Sequence, residues 1–369
     1  MYTGTFLISI AFIALSIKYE KKKITHYVCL FIGLLIPSLL AGLRDFSIGN
    51  DVLLYGNYWF YRAVSYTSLW DYLKETMIYS MDLGYSFINY LSSMISEDAH
   101  FFYFIYAILQ MAVLYYAVRD YKKQISVPFA FFVYFFTYYN SSLNILRQIM
   151  AILLVLLSYK YVFDKKLAKF LLSILLAASF HISAVVGIIL YPLNWAIHTD
   201  FKKFWRASVV VGSMLLVVTY EYVLNFIFRF GLASFSKYTH YLEDDQGGGR
   251  FIRFAFWGII ACAYFWRRKK INKIAPNYEL LGFCILFSLL TSIVNFFSGA
   301  WLIRAMYYFD CASVISIPLI AKALPLKVGR QKEKINYILV GVFIFVYWLI
   351  VYVIRNGAET FPYQFMKFQ

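Results

Sequence analysis

Five arginines stand within or at the ends of long apolar stretches of the chain; they are Arg44, Arg147, Arg250, Arg253 and Arg304. A charged side chain at membrane depth costs about 2.5–3.5 kcal/mol on insertion scales, so each of them needs a reason to be there. One arginine near a helix end is explained by snorkelling to the interface. Because a guanidinium can hold phosphate oxygens through two parallel hydrogen bonds, the set as a whole indicates a site for phosphate or pyrophosphate.

Three ionisable side chains could take a proton from a reacting hydroxyl: His181, Asp51 and Glu221. His181 lies in the middle of an apolar stretch, where an ionisable residue is a functional candidate by default. A single histidine is more often a structural hydrogen-bond donor, and two carboxylates compete with it. The sequence leaves the choice of general base open among the three.

Polar residues accompany two of the arginines at helical spacing. Asn140, Asn144, Arg147 and Gln148 are three or four residues apart, so we expect one polar stripe if their helix begins early enough. By the same spacing, two aromatic residues after Arg304 are expected to flank it; they are Tyr307 and Tyr308. The acid at Asp310 falls near mid-depth of the same stretch, and no specific partner for it is predicted.

The composition is that of a membrane protein. Of 369 residues, 62% are hydrophobic and 15% charged, whereas a soluble chain carries about 25% charged residues. The net charge is +16, but the basic residues form short runs between apolar blocks, as in cytoplasmic loops. Since no polar segment is long enough to present a basic face, nucleic acid is excluded as a partner.

The cysteines and acidic residues lack the spacing of metal ligands. All four cysteines fall inside apolar blocks without a CxxC pair, which is typical of small buried hydrophobes. No HxxxH pair and no carboxylate cluster with ligand spacing is present in the sequence. We therefore expect neither a metal nor another cofactor.

The apolar blocks have the length needed to cross a bilayer. They predict an all-α polytopic membrane protein, a single transmembrane domain over residues 1–369. About ten full spans are expected, at 2–17, 27–43, 100–118, 126–139, 143–163, 207–228, 252–266, 279–297, 300–321 and 336–354. Two stretches, 83–95 and 168–193, are ambiguous.

The basic runs decide how the ambiguous stretches are read. All six runs fall on the cytoplasmic side if neither stretch makes a net crossing. The stretch 83–95 is then interfacial or re-entrant, and 168–193 is a broken helical hairpin whose tip, near His181, lies outside. Both chain ends lie outside, as do loop 1 (44–99) and a glycine-rich loop (229–251) that carries Arg250. The arginines and Glu221 then lie in the outer half, which favours a lipid-linked ligand.

Five short stretches resemble, in order, motifs of the EpsG family of Wzy-like exopolysaccharide, capsule and O-antigen polymerases. The first places an Arg, a Gly, an Asp and a Tyr at Arg44, Gly49, Asp51 and Tyr55. The others cover residues 82–85, 144–151, 177–184 and 304–309. Asp82 stands where Glu is commoner, and Ala305 where Tyr commonly follows the arginine.

The resemblance implies a GT-C-like glycosyltransferase of the bacterial cytoplasmic membrane. It would join repeat units carried on polyprenyl pyrophosphate at the outer face, among membrane lipids. A flippase and a chain-length regulator are further partners that the sequence leaves open. Arg147 and Arg304 would stabilise the departing pyrophosphate, and His181 or Asp51 would take the acceptor proton. Substrate-binding roles are expected for Arg44, Asp45, Tyr55, Asn144, Gln148, Arg250, Arg253, Glu221, Tyr307 and Tyr308.

Two other functions compete with polymerisation. A transferase that uses single sugars on polyprenyl phosphate would need a first-loop carboxylate, Asp45 or Asp51, together with a metal. A flippase or transporter of lipid-linked oligosaccharide would favour paired charges through the full membrane depth and internal repeats. The sequence shows no convincing repeat, and its intramembrane charges cluster mostly on one side.

Overall fold

The computed structural model describes residues 1–198, 203–205, 207–208, 211–212, 247–296, 301–325 and 332–366. Glu221 and most of the expected glycine-rich loop lie outside these residues. Within them, the regular elements are helices, and the extended backbone is limited to an isolated bridge between Arg44 and Phe365. Arg250, expected in a mobile loop, is instead part of a helix that begins at Gly247.

The helices are numbered in chain order. They are α1 Tyr2–Lys18, α2 Lys23–Gly42, α3 Asn57–Val64, α4 Leu69–Ile78, α5 Leu83–Ser93, α6 Ala99–Val118, α7 Val127–Tyr134, α8 Asn140–Asn144, α9 Leu146–Phe163, α10 Leu167–Phe180, α11 Leu190–Ile197, α12 Gly247–Ile274, α13 Glu279–Val294, α14 Trp301–Asp310, α15 Ser313–Ala323 and α16 Lys332–Trp348. Short π turns follow α7 and α16 at Phe135–Tyr139 and Leu349–Ile354, and another lies at Val52–Gly56.

Four helical stretches among the described residues are long and apolar enough to cross a membrane: Lys23–Gly42, Ala99–Tyr121, Leu146–Phe163 and Lys334–Ile354. Four shorter apolar helices accompany them. The chain is therefore an all-helical membrane protein, as the composition predicted. The larger number, about ten full spans, stays a prediction.

The basic loops gather at one end of the helices. Lys122 pairs with Glu20, and Lys322 Nζ donates to the carbonyl oxygen of Lys123 at 3.1 Å. In the basic run of α12, Arg267 Nε donates to the carbonyl oxygen of Ala323 at 2.8 Å. At the opposite end, the hydroxyl of Tyr2 donates to the carbonyl oxygen of Thr360 at 2.8 Å. The two ends of the chain thus lie together, away from the basic loops.

The two ambiguous stretches form a short helix and a broken hairpin. The 11 residues of α5 rise about 16 Å, roughly half of a hydrocarbon core, and are too short to cross it. The stretch 168–193 is a broken hairpin, because α10 ends at His181, where the backbone is extended (φ −162°, ψ 118°). Asn194 Nδ2 then donates to the carbonyl oxygen of Val162 at 3.4 Å, so α11 returns to the basic end.

The expected polar stripe through residues 140–148 is wrong, because the helix breaks at Ile145 (φ −86°, ψ 63°). Asn140 consequently bonds to the end of the chain, since its amide donates to Thr360 Oγ1 at 2.9 Å and accepts from Trp348 Nε1 at 2.8 Å. Arg147 faces a different part of the molecule.

Residues 355–366, here the C-terminal strap, lie across the ends of the helices that are opposite the basic loops. Backbone hydrogen bonds join the strap to the first loop: Asp45 N donates to Gln364 O at 2.9 Å and Gly49 N to Glu359 O at 3.1 Å. The bridge between Arg44 and Phe365 continues this pairing. The strap is therefore a fixed part of the fold.

Gly49 is the position in the first loop where a side chain is least tolerable. Its φ is +85°, and a Cβ placed there would lie 2.3 Å from the carbonyl oxygen of Leu143. We expect Gly49→Ala to lower the free energy of unfolding by about 2–3 kcal/mol, through backbone strain and this clash. The measurement is the thermal midpoint of the purified protein in detergent. Gly4→Ala is the matched control, because no atom lies within 4 Å of its added Cβ; equal midpoints for the two variants would contradict the expectation.

Candidate functional site

Asp82 joins two of the residues predicted to do chemistry. Arg147 Nη1 donates to Asp82 Oδ2 at 2.7 Å, and His181 Nδ1 lies 3.4 Å from the same oxygen. The three side chains are only 12–21% exposed. They come from the start of α5, the start of α9 and the break after α10, so the broken hairpin and the short helix α5 together position this Asp82 cluster.

The first loop completes the Asp82 cluster. The guanidinium of Arg147 lies 4.5 Å from the ring centre of Tyr55, whose hydroxyl donates to the carboxylate of Asp51. The backbone N–H of Asp51 donates to Asn144 Oδ1 at 3.3 Å. The sequence-predicted residues Asp51, Tyr55, Asn144, Arg147 and His181 therefore do meet in space. Asp82 was missed as a site residue, although it stood in a recognised motif.

A separate cavity of about 440 Å³, here the outer cavity, lies between α8, α9, α12, α14, α16 and the C-terminal strap. Its charged lining residues are three arginines and two carboxylates: Arg250, Arg253, Arg355, Asp310 and Glu359. The formal balance is thus positive by one charge. Such a set can hold an anion with several oxygens more readily than a neutral ligand.

Aromatic side chains make up much of the remaining wall of the outer cavity: Tyr138, Phe256, Trp257, Tyr307, Tyr347 and Tyr352. Polar groups from Ser141, Asn295 and Ser313 lie between them. Aromatic faces with a few polar groups that fix orientation are the usual lining of ligand pockets. The outer cavity can therefore accommodate an anion and an adjoining ring.

A buried ion pair crosses the outer cavity. Arg253 Nη2 donates to Asp310 Oδ2 at 2.5 Å, and Asp310 is only 1% exposed. Asp310, for which the sequence offered no partner, therefore has one on α12. The same guanidinium lies 5.8 Å from the ring centre of Tyr307, so the arginine beside Tyr307 in the described residues is Arg253. The expected contact of Tyr307 with Arg304 stays a prediction.

The sequence predicted a single ring of arginines, and that arrangement is wrong. Arg147 belongs to the Asp82 cluster, whereas Arg250 and Arg253 line the outer cavity. Arg44 lies in a third place: it is 1% exposed and its guanidinium stands 4.8 Å from the ring centre of Tyr103. The helix break at Ile145 and the pairing of the first loop with the strap separate these positions. For Arg304, only the backbone of α14 lies within the described structure.

Three further predicted residues occupy structural positions. Asp45 Oδ1 accepts from the backbone N–H of Ser47 at 2.9 Å and from its hydroxyl at 2.7 Å, which closes a turn in the first loop. Gln148 is buried within the helices. Tyr308, expected beside Arg304, is buried and its hydroxyl lies 2.7 Å from Ser183 Oγ, so it braces the broken hairpin instead of lining the cavity.

Sequence reasoning missed Arg355 and Glu359. Both fall in the polar stretch after the last apolar block, where neither periodicity nor membrane depth singled them out. Their proximity to Arg253 depends on how the strap folds back, which is a long-range property of the chain. Within the described residues, no group of three His, Cys, Asp or Glu side chains is placed to hold a metal ion.

These features define the class of protein. It is a polytopic membrane protein with a polar site near one membrane face, because it has apolar helices of spanning length, basic loops at one end and a charged aromatic cavity at the other end. The chain belongs to the EpsG family, the family of Wzy-like exopolysaccharide polymerases, whose model matches residues 27–365. Neither a curated protein nor a solved structure matches the chain.

The pair between Asp82 and Arg147 should behave as a buried ion pair. We expect Asp82→Asn to lower the free energy of unfolding by about 3 kcal/mol, because it leaves the charge of Arg147 uncompensated. The double variant Asp82→Asn/Arg147→Gln should recover part of that loss, since neither charge remains. Thermal midpoints of the two single variants and the double variant measure the coupling.

Lys166 and Asp164 provide the control pair. They are paired at the protein surface, with side chains 53% and 52% exposed, and the hydrogen bond with Asp164 raises the pKa of Lys166. Surface pairs contribute little, so Asp164→Asn should change the midpoint much less than Asp82→Asn. A double variant that is destabilised by the sum of the two single changes would show that Asp82 and Arg147 are not coupled.

Proposed function

We propose that this protein polymerises oligosaccharide repeat units carried on polyprenyl pyrophosphate, at the outer face of the bacterial cytoplasmic membrane. The observation that carries the proposal is the outer cavity, where three arginines meet aromatic side chains at the end of the helices opposite the basic loops. Membership of the EpsG family supports a role in making exopolysaccharide.

The proposed orientation follows from the distribution of charge. Basic loops remain in the cytoplasm, so the end that holds the strap and the outer cavity faces outward, and both chain ends lie outside. About ten full spans complete this topology. A lipid-linked substrate reaches such a site from the outer leaflet, with its pyrophosphate near the membrane surface and its sugars toward the aqueous side.

In the proposed reaction, a hydroxyl of one lipid-linked unit attacks the anomeric carbon of another lipid-linked chain. The bond from that carbon to the pyrophosphate oxygen breaks, and its electron pair goes to the pyrophosphate. Fixed cations aimed at this developing charge lower the barrier in a site of low dielectric constant. Arg250, Arg253 and Arg355 are placed to do so, and the neighbouring aromatic faces are suited to sugar rings.

The proposal changes the role first expected of Arg147. Its guanidinium already has a carboxylate partner in Asp82 and an aromatic face in Tyr55. We therefore assign Arg147 to holding the first loop and the broken hairpin in place, and the cavity arginines to the pyrophosphate. Arg304 as a further pyrophosphate ligand remains part of the proposal, as do a flippase and a chain-length regulator as partners.

Replacing a cavity arginine should strongly reduce polymer formation. We expect Arg250→Gln and Arg355→Gln each to reduce polymerisation by about 10²–10³-fold, because a cation aimed at the leaving group is lost. Arg253→Lys should also be impaired, since lysine keeps the charge opposite Asp310 but not the planar fork. The measurement is glycan chain length on a gel, in cells that make the cognate polysaccharide, with each variant at matched membrane abundance.

Lys269→Gln is the control, because it removes an exposed charge from the basic run on α12, at the far end. A polymerase is supported if cells with the Lys269→Gln variant make a normal polymer ladder and cells with the arginine variants display only single repeat units on their outer surface. Lipid-linked units retained inside the cell would instead indicate a transporter. Normal ladders in all three arginine variants would show that the outer cavity is not the site.

A further inference from the structure

The C-terminal strap supplies the outer cavity with an accessible carboxylate. Arg355, Asn356, Gly357 and Glu359 all line the cavity. Glu359 is exposed, and within the part of the chain that the structure describes its side chain makes no hydrogen bond or ion pair. The other cavity carboxylate, Asp310, is buried and held by Arg253. Of the two, Glu359 is the one placed to meet a ligand.

The backbone at Glu359 adopts a conformation that non-glycine residues take only under constraint. Its φ is +54°, and that of Asn356 is +48°, both in the left-handed region. Residues held in this region cluster at active sites, where the surrounding structure fixes them. The backbone conformation determines the direction in which the Cα–Cβ bond leaves the strap, so the left-handed conformation fixes the direction in which the Glu359 side chain starts.

Hydrogen bonds on both sides hold that conformation. Glu359 N donates to Asn356 O at 2.9 Å, and Glu359 O accepts from Gly49 N at 3.1 Å. Asn356 Oδ1 accepts from Thr360 N and Phe361 N, each at 2.9 Å. Thr360, the next residue, is fully buried and bonds to Asn140. These hydrogen bonds therefore hold the backbone of the strap at Glu359 in one position.

His181, the general base expected from the sequence, is placed differently. Its Nδ1 faces Asp82, and neither side chain lines the outer cavity. On α9 and at its start, the residues that line the cavity are Ile149 and Ile145. Arg147, two residues from each of them, points into the Asp82 cluster instead. A substrate whose pyrophosphate lies among the cavity arginines thus meets Glu359 in the same cavity as the leaving group.

We propose that Glu359 is the general base that takes the proton of the acceptor hydroxyl. This inference rests on the proposed function. As the hydroxyl oxygen bonds to the anomeric carbon, its proton passes to the Glu359 carboxylate, and the pyrophosphate departs with the electron pair of the broken carbon–oxygen bond. The exposed position of Glu359 lets the proton leave to water afterwards. The charged and titratable groups that share the cavity with it are Tyr138, Arg250, Arg253, Tyr307, Asp310, Tyr347, Tyr352 and Arg355.

The test uses the full chain, purified and placed in lipid nanodiscs, with the lipid-linked repeat unit extracted from producing cells that lack this protein. Glu359→Gln should lower kcat by about 10²-fold or more while KM changes little, because the shape is kept and the base is lost. In the Glu359→Gln variant, the fall of kcat/KM at acidic pH, its acidic limb, should also disappear, because the carboxylate is no longer present. Glu359→Asp should retain part of the rate and the acidic limb.

Two variants serve as controls for a loss of folding. Glu359→Gly suits the left-handed backbone, so it should match the parent in thermal midpoint and still lack activity. Glu97→Gln removes an exposed carboxylate that does not line the outer cavity and should leave the rate and its pH profile unchanged. A well-folded Glu359→Gly variant that polymerises at the parent rate would overturn the proposal.

The remaining outcomes separate this inference from the proposed function. If Arg250→Gln loses activity while Glu359→Gln keeps both rate and acidic limb, Glu359 is not the base and the cavity remains the site. If His181→Gln alone removes the acidic limb, the base lies in the Asp82 cluster and the proposal fails. If neither Arg250→Gln nor Glu359→Gln loses activity, the function proposed for the outer cavity fails as well.

Discussion

The cost of holding charge within an apolar helical assembly governs this structure. Two arginines, Arg147 and Arg253, are each bonded to a carboxylate, at 2.7 and 2.5 Å. A buried pair gains its stability from geometry and from the remaining hydrogen bonds, and an unpaired partner would be strongly destabilising. Helices distant in sequence must therefore meet with the right faces together, so the two pairs constrain how α5, α9, α12 and α14 can pack.

The short segment 140–147 links these charges to the rest of the outer end. Asn140 bonds to the C-terminal strap, and the carbonyl oxygen of Leu143 lies against Gly49. Asn144 accepts from the backbone of Asp51, and Arg147 enters the Asp82 cluster. One helix break thus lets eight residues contact the strap, the first loop and the broken hairpin.

Much of this arrangement could be predicted from local sequence. The length of the apolar blocks predicted a helical membrane protein. The basic runs correctly indicated that 168–193 turns back on itself. The meeting of Asp51, Tyr55, Arg147 and His181 agreed with the motifs in which they lie. The separation of the arginines could not be predicted, because it depends on a break at Ile145 that carries no proline or glycine signal. The partner of Asp310 is 57 residues away, and the place of the strap depends on backbone pairing, which side-chain patterns do not report.

The two ion pairs differ in what they leave available for chemistry. The pair of Arg147 and Asp82 lies outside the cavity and fastens loops, whereas the pair of Arg253 and Asp310 forms part of the cavity wall. In the proposed reaction, Asp310 compensates Arg253 while no pyrophosphate is present, so the cavity does not hold an isolated desolvated cation. An arriving pyrophosphate then competes with Asp310 for one guanidinium and needs additional cations to bind well. In the proposed reaction, Arg250 and Arg355 supply these cations.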